Sequence, residues 1–375
     1  MTVECALRTP CLWLDRARLE ANIARFGRRV QALCVEHRLH VKTTKSLDVL
    51  AQVQPVGVQR IAVSTFKEAE WAIEAEVEDV LYALPIPPQK APSAVALAQK
   101  AQCFGVFVGA VETAAALAQA ARDAATPIDA WIEIDADGYR CGVRPDDPAL
   151  IRITETLVAA PGVRLAGLYI YAGRTYNAES AGEGAAMVEH ARAAALAARE
   201  RVAAFTDYPL TLTLGGSPVA VFADTLDGVD ELCAGVYVFQ DLFQTGLGVC
   251  AQSDLALSVL ATVIAVSPET GRAFIDAGAL ALSQDRSANT RGHEPGYGLV
   301  QKLGAPGCDF VVSAVSQEHG HVRGREGVDA AAALTVGDRV RVWPNHVCMT
   351  ADGFAGYHVF DPAGAGDAFW PRLSG

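Results

Sequence analysis

The stretch "LHVKT" (residues 39–43) decides the fold, because it is the first of eight short strand-like runs that alternate with helical patterns. The other runs are "IAVST" (61–65), "VLYAL" (80–84), "CFGVFV" (103–108), "IDAWIEI" (128–134), "RLAGLYI" (164–170), "LTLTL" (210–214) and "ELCAGVY" (231–237). Eight β units with helices between them predict an α/β fold in the form of a (β/α)8 barrel. The main alternative is an open doubly wound sheet, but no G-x-G-x-x-G motif opens a helix after the first strand.

The helical patterns between the runs support this interpretation. The clearest one precedes the first strand, where Asp15 is a candidate N-cap and apolar residues then recur every three or four positions. These apolar residues are Leu19, Ile23, Phe26, Val30 and Leu33. A second long helix, rich in alanine, is predicted over residues 180–205.

The pattern changes after residue 245 and predicts a second, mostly β domain. The segments 256–278, 310–316 and 339–344 are rich in β-type residues and turns. We therefore expect a barrel domain over residues 13–245 and a β-rich domain over residues 246–375 together with residues 1–12. The strand-like "CLWL" (11–14) is a candidate to join the β-rich domain, and the final "DPAGAGDAFWPRLSG" (361–375) is expected to be partly loose.

Composition limits the classes of partner and compartment. The chain has 375 residues and a net charge of −12, which argues against nucleic acid because phosphate backbones are repelled. No apolar run has the length of a signal peptide or a membrane span. The nine cysteines are scattered without framework spacing, which predicts reduced thiols and a cytoplasmic protein.

The first run suggests a reactive lysine. If Leu39 and Val41 face the helices, then His40 and Lys42 point into the barrel. A lysine that loses hydration there has a lowered pKa, and its neutral amine suits Schiff-base chemistry. The ordinary explanation is that Lys42 and Lys45 are solvent-exposed lysines beside a turn.

The loops at the carboxyl ends of the later runs contain further candidates. Arg140 follows the fifth run, and Tyr171, Arg174 and Tyr176 follow the sixth, although a surface arginine and rim tyrosines would explain them equally well. The turns "LGGSP" (214–218) and "CAGVY" (233–237) follow the seventh and eighth runs, where barrels often bind phosphate. A lysine and a phosphate cradle together point to pyridoxal 5′-phosphate (PLP) as the cofactor.

The stretch "RVWPNHVCMT" (341–350) raises the question of a metal site. It carries His346 and Cys348 one residue apart, but catalytic zinc usually has three protein ligands. A turn histidine and a buried cysteine are the simpler explanation from spacing alone. His319 or His321 in "SQEHGHVR" (316–323) could complete a site, or His319 could bond to Glu318 or to the backbone.

Motifs over nearly the whole chain resemble those of the D-serine dehydratase and D-threonine aldolase family, the fold-type III PLP enzymes with an alanine racemase-like barrel. They are "HVKTTK", "VSTFKEAE", "EIDADGYRCGV", "LGGSP", "ELCAGVYVFQD", "DAG", "GYG", "SQEHG" and "PNHVC", in this order. The similarity is greatest to the metal-dependent dehydratases of the family.

The resemblance implies a role for each matched position. Lys42 would hold PLP covalently and act as the base at the substrate Cα. His40 would lie beside the cofactor, Arg140 would bond the polar edge of its ring, and Tyr176 would lie close to cofactor or substrate. The phosphate would be held by Gly216, Ser217, Gly235 and Tyr237. His346 and Cys348 would bind a divalent metal, most often zinc, with manganese or magnesium as alternatives. The family is typically homodimeric.

The resemblance also implies the reaction, with alternatives. The expected activity is elimination of water from a D-3-hydroxy amino acid such as D-threo-3-hydroxyaspartate or D-serine, giving a 2-keto acid and ammonia. An aldolase that releases glycine and an aldehyde uses the same groups, and a racemase or a non-catalytic PLP carrier are further alternatives. Leu39, Tyr171 and Cys233 depart from residues common in the family, and Tyr171 borders the substrate.

Overall fold

The computed structural model describes residues 6–138, 140–288, 294–361 and 368–374, with backbone alone at residue 56. Contacts divide the chain into two compact units. The barrel unit comprises Arg25–Lys42 and Val53–Gly235, and the sheet unit comprises Met1–Ala24, Thr43–Gln52 and Val236–Gly375. Within the described ranges, none of the helices combines the length and the apolar character that a bilayer crossing requires.

Strand β1 (Cys11–Asp15) and helix α1 (Arg16–Ala32) open the described chain. The Asp15 carboxylate accepts a hydrogen bond from the Arg18 amide at 3.1 Å, so it satisfies one of the free N–H groups at the helix start. The apolar stripe predicted for this helix is buried, which confirms the cap and the periodicity together.

Eight parallel strands close the barrel of the barrel unit, with each strand bonded to the next and the last bonded back to the first. They are β2 (Glu36–His40), β3 (Arg60–Val63), β4 (Asp79–Pro85), β5 (Cys103–Val108), β6 (Ile128–Ile134), β7 (Val163–Tyr171), β8 (Thr211–Gly215) and β9 (Glu231–Ala234). The (β/α)8 prediction is therefore confirmed, and the open doubly wound alternative is wrong.

The connecting helices follow the expected order. They are α2 (Leu47–Val53), α3 (Phe66–Glu74), α4 (Ala91–Ala98), α5 (Val111–Ala124), α6 (Pro148–Val158), α7 (Ala181–Ala203) and α8 (Ser217–Phe222). Thr65 caps α3 by accepting the Glu68 amide, and Ser180 caps α7 by accepting the Glu183 amide. The alanine-rich helix predicted over 180–205 is α7.

The first barrel strand ends earlier than the sequence predicts. Strand β2 covers residues 36–40, and residues 41–44 form a turn, so the prediction that Lys42 lies on a strand face is wrong. The last ladder bond runs from the Val41 amide to the Ala62 carbonyl at 2.9 Å. The strand instead begins at Glu36 and includes charged residues. Arg38 can be buried in it because Glu231 and Asp79 neutralise its charge.

The interior of the barrel changes from ionic to apolar along its axis. Arg38, which is 2% exposed, donates to Glu231 Oε1 at 2.8 Å and to Asp79 Oδ1 at 2.7 Å. Glu231 also accepts the Thr213 hydroxyl at 2.9 Å. The middle of the barrel is filled by a buried cluster of Ala62, Leu81, Ala83, Phe107, Trp131, Tyr169 and Cys233. This packing places polar site residues beyond it, at the carboxyl ends of the strands.

The sheet unit contains a nine-stranded sheet among its described residues. In spatial order it is β11 (Arg272–Ile275), β14 (Gly320–Gly324), β13 (Phe310–Val315), β12 (Leu299–Lys302), β15 (Arg339–Trp343), β10 (Leu257–Ser267), β1, β16 (Gly356–Phe360) and β17 (Ala368–Pro371). Short helices α9 (Leu242–Gly246), α10 (Ala279–Leu282), α11 (Ala330–Ala333) and α12 (Val347–Ala351) accompany it. The 11–14 run joins this sheet, while the proposed domain limits stay a prediction.

Residues 368–374, near the end of the chain, form part of the sheet unit. Strand β17 pairs antiparallel with β16, and the side chain of Arg372 is buried and paired with Asp352 at 3.1 Å. Residues 368–374 are therefore not loose, whereas residues 362–367 and 375 lie outside the described residues, so the expectation of a partly loose segment stays a prediction. The aromatic residues of "AFWP" give this strand its packing surface: Trp370 is buried, and the Phe369 ring lies 5.1 Å from that of His358.

Candidate active site

His40 and Lys42 lie where the first barrel strand ends. His40 is the last residue of β2, and the Lys42 amide lies 3.5 Å from His40 Nδ1. Burial and the positive charges of Lys42 and Arg140 hold the pKa of His40 well below its ordinary value. The imidazole is therefore neutral near pH 7, while the Lys42 side chain is exposed and open to a ligand.

Arg140 lies in the loop after β6, and the loop is tightly built. Asp135 accepts the backbone amides of Asp137, Gly138 and Arg140, each at 3.1 Å. The chain then returns to the strand through a bond from the Val143 amide to the Glu133 carbonyl at 2.8 Å. The loop thus sets the backbone of Arg140 without using its side chain.

The guanidinium of Arg140 is held from two sides. Its centre lies 4.7 Å from the ring centroid of Tyr171, and its Nε lies 3.5 Å from Glu133 Oε1. Tyr171 in turn stacks on Tyr176 with 6.0 Å between ring centroids. Gly216 is close to Tyr176, since a Cβ added to Gly216 would lie 3.8 Å from the Tyr176 ring. Arg140, Tyr171, Tyr176 and Gly216 are therefore successive neighbours at the ends of β6, β7 and β8.

Two glycine turns follow adjacent strands β8 and β9. The Gly216 amide donates to the Cys233 carbonyl at 2.9 Å. Gly216 has a φ of +133°, a backbone conformation that residues other than glycine rarely adopt. Ser217 begins helix α8, whose first N–H groups are not used within the helix. Gly235 comes directly after β9, and Tyr237 lies buried in the following turn, where burial raises its pKa.

These barrel residues fit PLP. They offer an exposed lysine amine, a neutral imidazole, a fixed guanidinium, and a glycine turn at a helix start of the kind that accepts phosphate. All seven sequence-predicted residues of this unit lie at or beyond the carboxyl ends of parallel strands, which is the catalytic face of such barrels. They are His40, Lys42, Arg140, Tyr176, Gly216, Ser217 and Gly235.

In the sheet unit, His346 and Cys348 lie where β15 turns into α12. His346 Nδ1 is 2.8 Å from Asp285 Oδ2, which leaves Nε2 as the nitrogen for a metal. Burial alone lowers the pKa of His346, but hydrogen bonds to Asp285 and Cys348 outweigh it and raise the pKa to about 10. Thr43, the residue after Lys42, has its hydroxyl oxygen 3.2 Å from Cys348 Sγ.

The turn that carries this pair is anchored on both sides. Asn345 donates to the carbonyls of Asp285 at 2.9 Å and Gly296 at 2.8 Å. Asp241 accepts the Val347 amide at 3.1 Å, and burial raises the pKa of Asp241 to about 6. These bonds therefore fix the backbone of the turn from which the side chains of His346 and Cys348 extend.

A histidine nitrogen and a cysteine sulfur fit a divalent metal with two protein ligands. Within the described residues, no group of three or more His, Cys, Asp or Glu side chains is arranged to hold a metal ion. His319 stacks on His321 at 5.3 Å between ring centroids, and both rings pack against Phe274. The eight described cysteines are free thiols.

Three residues of the site were missed by sequence reasoning. Asp285 is 61 positions from His346, so no local spacing could indicate it. Glu133 and Asp241 lie inside the motifs "EIDADGYRCGV" and "ELCAGVYVFQD", and a buried carboxylate within a recognised motif was the signal that could have found them.

Comparisons with known proteins agree with this geometry. The model of the alanine racemase N-terminal domain matches residues 14–242, and that of a putative serine dehydratase domain matches residues 256–360. The chain is 39% identical to the D-threo-3-hydroxyaspartate dehydratase of Delftia sp. strain HT23, over 98% of each chain. It is 28% identical to the D-serine dehydratase of Schizosaccharomyces pombe, over 94% of this chain and 88% of that one. It is 30% identical to the D-threonine aldolase of an Arthrobacter species, over 91% and 86%.

Solved structures give the same result. The Delftia dehydratase superimposes with a TM-score of 0.94 at 38% identity, over 99% of both chains. A cysteine-to-alanine mutant of that dehydratase, described as being in the metal-free form, also gives a TM-score of 0.94, at 38% identity and over the full length of both chains.

Proposed function

The chain belongs to the family of D-serine dehydratases and D-threonine aldolases, whose barrel is of the alanine racemase type, and we propose that it is a PLP- and divalent-metal-dependent dehydratase. Its substrate is a D-3-hydroxy amino acid, with D-threo-3-hydroxyaspartate and D-serine as the first candidates. The products are the 2-keto acid and ammonia. The observation that carries the proposal is the His346–Cys348 pair, oriented by Asp285, in a chain that also presents Lys42 at the barrel rim.

The barrel residues hold the cofactor and move the proton. PLP, when bound, supplies the aldehyde for an amine and takes up the electron pair left at the substrate Cα. Lys42 Nζ anchors the cofactor and later accepts the α-proton. Arg140 bonds the polar edge of the ring, and neutral His40 lies beside it without adding charge. Gly216, Ser217, Gly235 and Tyr237 hold the phosphate.

His346 and Cys348 bind the metal. A divalent ion supplies Lewis acidity for the departure of the substrate hydroxyl, which leaves poorly as hydroxide. Nitrogen and thiolate donors favour zinc over magnesium or manganese. Asp285 fixes the ring orientation of His346, and Asp241 and Asn345 fix the turn. Two protein ligands leave positions for water and for oxygens of the substrate.

Dehydration is favoured over the alternatives by the relatives. The Delftia dehydratase is similar over nearly the whole chain, whereas the similarity to the aldolase is lower. A racemase needs two opposed bases and no metal, and a PLP carrier of the barrel-only type lacks the sheet unit. Aldol cleavage to glycine and an aldehyde is the second candidate, since it uses the same groups.

We also infer a homodimer. Leu280 and Met349 are 62% and 56% exposed and lie on the contacting helices α10 and α12 of the sheet unit. Large apolar side chains exposed side by side are typical of a surface that another chain covers. Sedimentation analysis should give twice the chain mass, and Met349→Lys or Leu280→Lys should shift the equilibrium toward the monomer.

A product analysis tests the reaction. The holoenzyme is incubated with D-threo-3-hydroxyaspartate, D-serine and D-threonine, with the L enantiomers as controls. We expect ammonia and keto acid in equal amounts from the D substrates alone. Glycine and aldehyde as main products would assign the protein to the aldolases, and loss of optical activity without other change would make it a racemase.

A second experiment tests what the metal does. A chelator should abolish turnover of β-hydroxy substrates while the colour of the bound cofactor persists, and His346→Ala and Cys348→Ala should behave like the stripped enzyme. A β-chloro analogue has a leaving group that needs little help, so the stripped enzyme should retain much of its activity on it. Equal loss on both substrates would contradict a role at the leaving group, and full activity after verified metal removal would contradict a metal role altogether.

A further inference from the structure

Glu133, the carboxylate that pairs with Arg140, is fully buried. Glu133 is the penultimate residue of β6, and its side chain is 0% exposed. A carboxylate in such a place is costly unless a cation or strong donors compensate for it. Its two oxygens face two groups of the same loop: Oε1 lies 3.5 Å from Arg140 Nε, and Oε2 lies 3.5 Å from Cys141 Sγ.

The surrounding backbone does not depend on this carboxylate. The loop is closed by Asp135, which accepts three amides, and by the bonds between residues 133–135 and Val143. Gly142 has no space for a side chain, since an added Cβ would lie 2.7 Å from the Glu133 carbonyl oxygen. The backbone of the loop is therefore held by the Asp135 carboxylate and by main-chain bonds, whereas the contacts of the Glu133 carboxylate are with the side chains of Arg140 and Cys141.

The Tyr171 ring alone leaves the Arg140 guanidinium free to rotate in its own plane, and the ion pair with Glu133 restricts that rotation. The ring of Tyr171 lies against its face at 4.7 Å, which restricts its plane and still allows it to slide and rotate over the ring. The ion pair at Nε, 3.5 Å from Glu133 Oε1, attracts that edge of the guanidinium toward the buried carboxylate, while the side chain remains 33% exposed.

We infer that Glu133 is a positioning residue that directs the Arg140 guanidinium toward the cofactor ring. The inference rests on the proposed function, because it needs Arg140 to contact PLP. In this role Glu133 acts through Arg140, which its carboxylate contacts, and not by binding the cofactor itself. A small neutral residue at position 133 would leave the guanidinium mobile on Tyr171, and part of the cofactor affinity would be lost.

A double-mutant cycle on the metal-loaded protein tests this inference. Glu133→Gln keeps the size and removes the charge, Arg140→Ala removes the partner, and the double variant closes the cycle. PLP is titrated into each cofactor-free protein, and the visible absorption of the bound cofactor is recorded. We expect Glu133→Gln to weaken PLP binding about tenfold and to shift the absorption maximum, and to have no further effect once Arg140 is alanine.

The matched control is Cys141→Ala, which removes the contact to the other oxygen of the same carboxylate and leaves Arg140 intact. It should leave PLP affinity and absorption unchanged. Thermal melting of the cofactor-free variants reports any purely structural effect separately. Equal losses for Glu133→Gln in both backgrounds, or no loss where Arg140→Ala alone weakens binding, would overturn the inference. An Arg140→Ala variant with normal affinity and spectrum would instead refute the cofactor role proposed for Arg140.

Discussion

Replacing Asp285 tests how the structure prepares the metal site. The Asp285 carboxylate accepts the Nδ1 hydrogen bond of His346 at 2.8 Å, and a hydrogen bond to a charged group contributes about 1.5–3 kcal/mol. Asp285→Ala removes all of it, which corresponds to about 10- to 100-fold weaker metal binding at a pH where the His346 ring is already neutral. At lower pH the loss is smaller, because the same hydrogen bond raises the pKa of His346 and its removal makes the proton easier to displace. Asp285→Asn keeps a neutral acceptor of about half that strength, so its loss should be about 5- to 10-fold.

The assay is a competition titration of the metal-free proteins with zinc and a fluorescent chelator at one fixed pH. Asp338→Asn is the matched control, because Asp338 has the same 21% side-chain exposure and also makes one short ion pair, at 2.7 Å to Lys302. The expected order of zinc affinity is wild type and Asp338→Asn, then Asp285→Asn, then Asp285→Ala. Unchanged affinity in both Asp285 variants, or an equal loss in the control, would refute the reasoning.

Three further predictions follow from the barrel unit. Borohydride should fix the cofactor to the peptide that contains Lys42, and attachment to Lys45 would contradict the assignment. Glu231→Gln should lower the free energy of unfolding by about 3–5 kcal/mol in denaturant titrations, because Arg38, 2% exposed, loses one of its two compensating carboxylates; a loss below 1 kcal/mol would contradict this. Burial lowers the pKa of His37 to about 4, so the unfolded chain binds more protons between pH 6.5 and pH 4, and stability should fall by about 3 kcal/mol as the pH drops through that window. His37→Phe should flatten that part of the pH–stability curve, and an unchanged slope would exclude His37 as its source.

Local patterns were sufficient for most of the fold. The runs 103–108 and 128–134 match strands β5 and β6 residue for residue, because each is rich in apolar and aromatic residues and is bounded by turns. The start of β2 was missed, since its charged residues are buried only through partners far along the chain. Strands β12, β14 and β16 of the sheet unit were also missed, because they are short and two of them begin with glycine.

For the site, too, local sequence indicated some residues and distant contacts supplied the others. The order of motifs indicated Lys42, Arg140 and the two glycine turns, since in a parallel barrel every strand end reaches the same rim whatever the distance in sequence. The histidine and cysteine of "PNHVC" were visible because they are one residue apart. The carboxylate that orients His346 was not, because Asp285 approaches from a segment 61 residues away.

The sequence by itself therefore determined the barrel and the family, and it indicated candidate side chains for the chemistry, because periodicity, turn residues and motif order are local properties. Only the tertiary structure decided which carboxylate lies beside two of these candidates, Glu133 beside Arg140 and Asp285 beside His346, and which carboxylates, Glu231 and Asp79, neutralise the buried Arg38 of the barrel interior. The physical reason is that a buried charge is stable only beside an opposite charge or a strong donor, and that partner can come from any part of the chain that folding brings into contact.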